Sequence, residues 1–170
     1  MSHINFEFKA KTSRLQELET KLNVLNPVFK GEDKQLDTYF NVSSGRLKLR
    51  EGNIENALIY YERENTNAAK QSDVILYQHA PAAGLKEILT KVHGIKAVVD
   101  KRRKIYFIDN VKIHFDEVNK LGTFVEVEAI DTDGNIGIEK LKQQCNHFAN
   151  LFEIKEEDYI ALSYSDMILQ

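Results

Sequence analysis

Apolar and polar residues alternate along Asn5-Phe6-Glu7-Phe8-Lys9-Ala10-Lys11, the period of a strand with one buried face. The period then changes. Thr12-Ser13 offers a helix N-cap, Gln16 stands where a capping box needs it, and Leu15, Leu18, Leu22 and Leu25 recur at helical spacing over about three turns. Strand-like runs follow at Lys34 to Val42, Arg46 to Glu51, Ala57 to Arg63 and Val74 to His79, with turns predicted at Ser43-Ser44-Gly45 and Gly52-Asn53. Pro81 and the small residues after it introduce a helix that carries Leu85, Ile88, Leu89 and Val92 on one face and is capped by Gly94. Three further strands, Lys96 to Ile108, Val111 to Val118 and Thr123 to Ile130, are joined by connections short enough for hairpins. A helix from about Ile136 lines up Ile138, Leu141, Cys145, Phe148 and Phe152, and a short final helix is predicted over Glu157 to Ile168. Many strands joined by tight turns, with a few intervening helices, make an α+β fold with a predominantly antiparallel sheet. Closure into a β-barrel with the helices outside would remove both exposed edges.

The polar faces of these strands carry the chemistry. Glu7, Lys9 and Lys11 share a side, as do Arg46, Lys48 and Arg50, then Tyr61 and Arg63, Lys101 and Arg103, Lys112, His114 and Asp116, and finally Glu126 and Glu128. Lys, Glu and Asp are poor strand formers, so their concentration needs a reason. A solvated outer face accounts for any one strand. It accounts less well for the set, in which cations are grouped on the central strands and carboxylates gather at Glu7, Asp116, Glu126 and Glu128. A polyphosphate explains both groups. Its charges call for several Arg and Lys donors, and carboxylates become compatible with it when a hard divalent cation, Mg²⁺ or Mn²⁺, lies between them.

Composition narrows the setting. A chain of 170 residues, 42% hydrophobic and 29% charged, is sufficient for one domain, and no Ser/Gly/Pro-rich linker divides it, so residues 1–170 read as a single domain. A net charge of −3 gives no sign of a nucleic-acid partner. No apolar stretch approaches the roughly 20 residues needed to cross a membrane. The lone Cys145 forbids an intrachain disulfide, and Lys9 and Lys11 interrupt any apolar leader, so a cytoplasmic location is expected. Association as a homodimer is compatible with the sequence, although no residue requires it.

The same residues resemble the CYTH superfamily, which groups class IV adenylate cyclases with thiamine triphosphatases and tripolyphosphatases. The family's N-terminal Glu-x-Glu-x-Lys strand is matched by Asn5-Phe6-Glu7-Phe8-Lys9. Asp37 to Val42, Gly45 to Glu51, Tyr60-Tyr61-Glu62-Arg63, Lys101-Arg102-Arg103, His114-Phe115-Asp116, Leu121 to Glu128 and Ser163-Tyr164-Ser165-Asp166 are similar to the cyclase-type branch. The resemblance implies an eight-stranded antiparallel tunnel, open at both ends, that binds a triphosphate with a divalent cation. It also implies Glu7, Glu126 and Glu128 as metal ligands, and Lys9, Lys48, Arg50, Arg63, Lys101 and Arg103 as phosphate-binding residues. Asp116, near the metal or the reacting group, and Glu126 are the implied catalytic residues. Asn5 departs from the pattern, bringing a neutral oxygen where the family has its first glutamate.

Other signals are weaker. Asp131 to Asn135 faintly resembles the start of a calcium loop, but Lys142 stands where the closing glutamate would be needed, and helix entry is the better reading. Cys145 and His147 do not share a helix face, and no Walker or dinucleotide motif is present. Three functions remain: a class IV adenylate cyclase-like enzyme making cyclic AMP and pyrophosphate from ATP, a hydrolase of thiamine triphosphate, tripolyphosphate or a nucleotide, and a non-catalytic binder of such ligands.

Overall fold

The computed structural model describes residues 2–81 and 83–170. Eight strands are present: β1 (Ser2–Lys11), β2 (Val28–Phe40), β3 (Arg46–Glu51), β4 (Ala57–Arg63), β5 (Lys70–Gln78), β6 (Ile95–Ile108), β7 (Val111–Val118) and β8 (Gly122–Asp131). They close into one barrel in the order β1-β5-β4-β3-β2-β6-β7-β8, with β8 pairing back onto β1 and every neighbouring pair antiparallel. Closure leaves no strand edge to recruit another chain. Helices α1 (Leu15–Asn23), α2 (Ala83–His93), α3 (Ile138–Leu151) and α4 (Tyr164–Ile168) complete the fold. None of the described helices is long and apolar enough to cross a membrane.

Alternation along the strands sends charge inward and hydrocarbon outward. Phe6, Phe8 and Ala10 of β1, Ile113 and Phe115 of β7, and Val125, Val127 and Ala129 of β8 pack against Leu18 and Leu22 of α1 and against Leu141, Cys145, Phe148 and Phe152 of the α3 region. The main core therefore lies between the barrel's outer surface and the helices, which frees the inner surface for polar groups. Cys145 belongs to that core. Its Sγ donates to Phe6 O at 3.0 Å, and burial pushes the thiol up to about 12, so it is unreactive at neutral pH.

Several elements differ from the sequence expectation, each for a local reason. β2 begins at Val28 rather than Lys34, and β5 at Lys70 rather than Val74. The added residues are mostly polar, and only pairing with β6 and β1 makes them strand. Helix α1 starts from Arg14 without a side-chain cap at that position, and Leu25 lies past its end, exposed. On α2, Leu89 is buried while Ile88 and Val92 remain in solvent. Asp131, the last residue of β8, accepts the backbone N–H groups of Asn135, Ile136 and Gly137 at 3.1, 3.2 and 3.0 Å and so closes the loop before α3, whose own N-cap, Gly137, has no side-chain cap. Gly45 holds the β2–β3 turn at φ +64°, where a Cβ would meet the Tyr60 hydroxyl at 2.7 Å.

The expected last helix is divided. A 3-10 turn (Glu156–Asp158) and α4 are separated by residues 159–163, which cross one end of the barrel. Tyr159 bridges to Ala10, Ile160 N donates to Lys9 O at 2.9 Å, Lys70 Nζ donates to Ala161 O at 2.7 Å, and Arg46 Nη2 donates to Asp166 at 2.8 Å. Tyr164 is buried against Tyr39, Val99, Val118 and Phe124. The lumen thus has a floor at this end, whereas open ends on both sides were expected. Its mouth is the opposite end, around His3, Ile54, Phe107 and Ile130.

Phe152 is fully buried and makes ring contacts with Phe115 and Phe148, each at 6.1 Å between centroids. Phe152→Ala is expected to cost about 3–5 kcal/mol in urea unfolding. A loss below about 1 kcal/mol would contradict the placement of the core outside the barrel.

Candidate functional site

Asp37 organises the cationic side of the lumen. The β2–β3 register sets it opposite Arg50, and the carboxylate accepts Arg50 Nε at 2.9 Å and Nη2 at 2.8 Å. Lys101 Nζ of β6 donates to the same group at 2.7 Å, and Lys48 Nζ of β3 stands 3.4 Å away. Asp37 has no solvent exposure. Burial by itself would raise its carboxyl, but the charges of Arg50, Lys101 and Lys48 outweigh that and hold it well below the usual carboxylate range. Lys101 is shifted down to about 7 by burial, with Asp37 opposing and Arg50, Arg103 and Lys48 reinforcing the shift. A compact group of cations, one of them near its titration point, is a site that lacks negative charge.

The loop between β3 and β4 adds a second anchor. Asp33 accepts the backbone N–H groups of Ile54 and Glu55 at 2.9 Å each, and this turns Glu55 into the lumen. There Glu55 accepts Arg50 Nη1 at 3.1 Å and also pairs with Lys112. Across the barrel, Arg103 makes a two-pronged contact with Asp116 at 2.6 and 2.5 Å and reaches Glu126 at 2.6 Å. Lys9 stands 3.1 Å from Glu126, and Arg63 donates to Glu7 at 2.5 Å.

The acidic corner is built by register. Glu7 of β1 and Lys112 of β7 flank Glu128 of β8, while Lys9 and His114 flank Glu126. One donor atom each of His114, Glu126 and Glu128 lie within 4.8 Å of one another. Burial is the main cause that raises the Glu128 carboxyl to about 7, with Glu7 and Glu126 adding to it against Lys112. Burial likewise lowers His114 to about 3, so its imidazole is neutral, and its buried Nε2 has no hydrogen-bond partner. Crowded carboxylates, one of them reluctant to ionise, beside a neutral imidazole whose Nδ1 stands 3.4 Å from Glu126 and 3.9 Å from Glu128 fit a divalent cation. Asn5 Oδ1, Ser72 Oγ and Arg63 Nε are likewise buried without partners.

The lumen is one cavity of about 570 Å³. It brings together Lys9, Lys48, Arg50, Arg63, Lys101 and Arg103 with Glu7, Glu126 and Glu128. Asp116 does not line it. Buried behind Arg103, Asp116 also accepts the Tyr164 hydroxyl at 2.7 Å. Lys11 lies beyond the lumen and is exposed. His114 joins the acidic corner as a metal-ligand candidate, a role that strand position alone left open. Asp37, Glu55 and the floor residue Tyr164, over whose ring Lys9 Nζ sits at 3.9 Å, were given no role from the sequence. Only the alternation of β2 could have pointed to Asp37, two residues before the lumen-lining Tyr39.

A closed antiparallel barrel with its charges inside and its helices outside is the triphosphate-tunnel architecture. The CYTH domain profile matches residues 3–164, and the chain belongs to that family. The PH1012 protein of Pyrococcus horikoshii superposes with a TM-score of 0.80 at 25% identity, covering 95% of this chain and 98% of that one. A candidate adenylate cyclase from Vibrio parahaemolyticus gives 0.78 at 15% identity over 100% of both chains. HpAC1 from Hippeastrum, a candidate adenylyl cyclase with a dominant triphosphatase activity, gives 0.64 at 14% identity, covering 98% of this chain and 94% of that one. No curated protein sequence matches this chain.

Asp37→Asn leaves three buried or half-buried cations short of a counter-charge. It is expected to destabilise the fold by about 3–5 kcal/mol in urea unfolding, and added tripolyphosphate should recover part of that loss. Wild-type stability would show that the cations do not depend on Asp37.

Proposed function

We propose that the lumen binds a triphosphate ester with a divalent cation, Mg²⁺ or Mn²⁺, and acts as a nucleotide cyclase that converts ATP to cyclic AMP and pyrophosphate. The order of charges along the barrel carries this reading. Lys9 and Lys101 lie nearest the floor, their Nζ atoms 3.9 and 5.9 Å from the Tyr164 ring centre. Glu128 stands on the mouth side of Glu126 along β8, followed by Ile130 at the mouth. A triphosphate ester that enters by the mouth leads with its terminal phosphate. The deep cations then take the terminal groups, and the acidic corner faces the phosphate next to the ester.

That phosphorus is the one a 3′-hydroxyl attacks in cyclisation, with the bond to pyrophosphate breaking. Lys9, Lys48 and Lys101 hold the departing pyrophosphate, while Arg50, Arg63 and Arg103 span its bridging region and neutralise the charge that develops there. Asp116 acts through Arg103, keeping its fork in one orientation from behind. Glu126, Glu128 and His114, with Glu7 beside them, would hold the divalent cation, which supplies Lewis-acid polarisation of the phosphate oxygens when bound. Because Asp37 and Glu55 already fix the cations in place, little reorganisation is needed when phosphate oxygens arrive.

Hydrolysis is the second reading. It is favoured by the dominant triphosphatase activity of HpAC1 and by Asn5, which brings no charge to the corner. Thiamine triphosphate, tripolyphosphate and nucleotides are the substrates to try. The two reactions need the same cradle and differ in the attacking oxygen.

Product analysis separates them. With Mg²⁺ or Mn²⁺ and ATP, cyclic AMP plus pyrophosphate is the expected outcome, whereas orthophosphate from any of these substrates selects hydrolysis. Metal-dependent binding without turnover would refute both. Glu126→Gln is expected to lower kcat/KM at least about 100-fold, and wild-type rates in that variant would refute the assigned corner.

Metal affinity should depend on pH with a definite sign. Below about 7 the Glu128 carboxyl is protonated and a proton must leave before the cation binds. Affinity for Mn²⁺ should therefore rise by up to about tenfold per pH unit toward 7 and level off above it. Calorimetry across pH 5.5 to about 8.5 checks this, and a flat profile would exclude Glu128 as a ligand.

A further inference from the structure

We infer that Glu55 is a positioning residue for the divalent cation: fixed in the lumen by the β3–β4 loop, it draws the Lys112 ammonium away from Glu128 and so keeps the acidic corner open to the metal. The inference rests on the reading of that corner as a cation site. It adds two residues, neither of them a ligand, that set the affinity of the corner.

Lys112 is the natural competitor of a metal at this corner. On β7 it stands directly opposite Glu128 of β8, and both residues line the same cavity. Side chains opposed in this way are about 5 Å apart at Cβ, well within the reach of a lysine. An ammonium seated on Glu128 would cancel the charge that attracts a divalent cation, and it would have to leave before the metal entered. In the structure Lys112 pairs with Glu55 instead. The second oxygen of Glu55, Oε2, accepts Arg50 Nη1 and Gln35 Nε2, both at 3.1 Å, which leaves Oε1 for Lys112.

The loop that carries Glu55 is anchored from several sides. Asp33 is fully buried, holds the Glu55 N–H at 2.9 Å and accepts Gln35 Nε2 at 2.8 Å. Asn56 ties the loop to its start, donating to Gly52 O at 2.9 Å and accepting from Gly52 N at 3.2 Å, and Asn53 Oδ1 accepts Lys34 N at 2.6 Å. Gly52 lies hard against this clamp. A Cβ there would meet the two Asp33 carboxylate oxygens at 2.6 and 2.7 Å and Glu55 O at 2.8 Å. A hairpin loop reverses the chain without any buried carboxylate. Here one carboxylate fixes where a second one points, and the second one captures the lysine.

A double-mutant cycle on Mn²⁺ affinity, read by calorimetry with no triphosphate present, tests this. Glu55→Gln should weaken Mn²⁺ binding about tenfold in the wild-type background and less than about twofold in the Lys112→Met background. Lys112→Met alone should bind Mn²⁺ at least as tightly as the wild type. Gly52→Ala displaces the loop without changing any charge, and it should reproduce both results of Glu55→Gln. Retained binding in the Lys112→Met background then shows that the corner is still folded. An equal loss in both backgrounds would mean that Glu55 acts through its own charge or that the loop merely supports the fold. That result, or unchanged affinity in Glu55→Gln, overturns the inference while leaving the corner standing. A wild-type protein that binds no Mn²⁺ overturns the corner as well.

Discussion

Asp37 holds the buried Arg50 and Lys101 and the half-buried Lys48 together on one wall of the lumen, and the interior of the barrel depends on that compensation. Like charges enclosed in a low-dielectric space repel one another strongly and are costly to desolvate. The chain answers by setting every one of the lumen cations Lys9, Lys48, Arg50, Arg63, Lys101 and Arg103 against a carboxylate, which Lys48, Arg50 and Lys101 share in Asp37 and Lys9 and Arg103 share in Glu126. Asp37, Glu55, Asp116, Glu126 and Glu7 are placed by register or by a pinned loop. The outcome is a cradle whose cations are already oriented before any anion arrives.

The partners are not equivalent, and the difference gives the lumen a direction. Asp37 and Asp116 sit behind their cations with no exposure, where they fix geometry without blocking the cavity. Glu7, Glu126 and Glu128 line the cavity itself, and Glu126 and Glu128 crowd each other beside His114, which suits a shared divalent cation better than mutual isolation. The chain between the 3-10 turn and α4 then crosses one end, near Lys9 and Tyr164, while Ile130 lies at the other. The interior is polar because hydrocarbon packs outside, between the strands and the α1 and α3 helices, and closure of the sheet makes this arrangement possible.

Much of the plan was legible because strand periodicity is local. Phe6 and Phe8 on one side of β1 and Glu7 and Lys9 on the other required only the two-residue period. The same held for Lys48 with Arg50, Lys101 with Arg103 and Glu126 with Glu128. Where polar residues opened a strand, as at Val28 to Asp33 and Lys70 to Asp73, the pattern was silent because ladder bonds to β6 and β1 are what define strand there. The last helix was overdrawn because residues 159–163 are held extended by contacts with Lys9, Ala10 and Lys70, far away in the chain.

The sequence by itself determined which side chains share a strand face, and with it a barrel whose inner surface is charged, since alternation is a property of the backbone alone. Which charges meet was decided by the tertiary structure. The pairing of Asp37 with three cations, the turning of Glu55 inward by Asp33, the gathering of His114 with Glu126 and Glu128, and the floor made by Tyr164 all depend on register across strands distant in sequence. Register follows from closure of the whole sheet, and no local period encodes it.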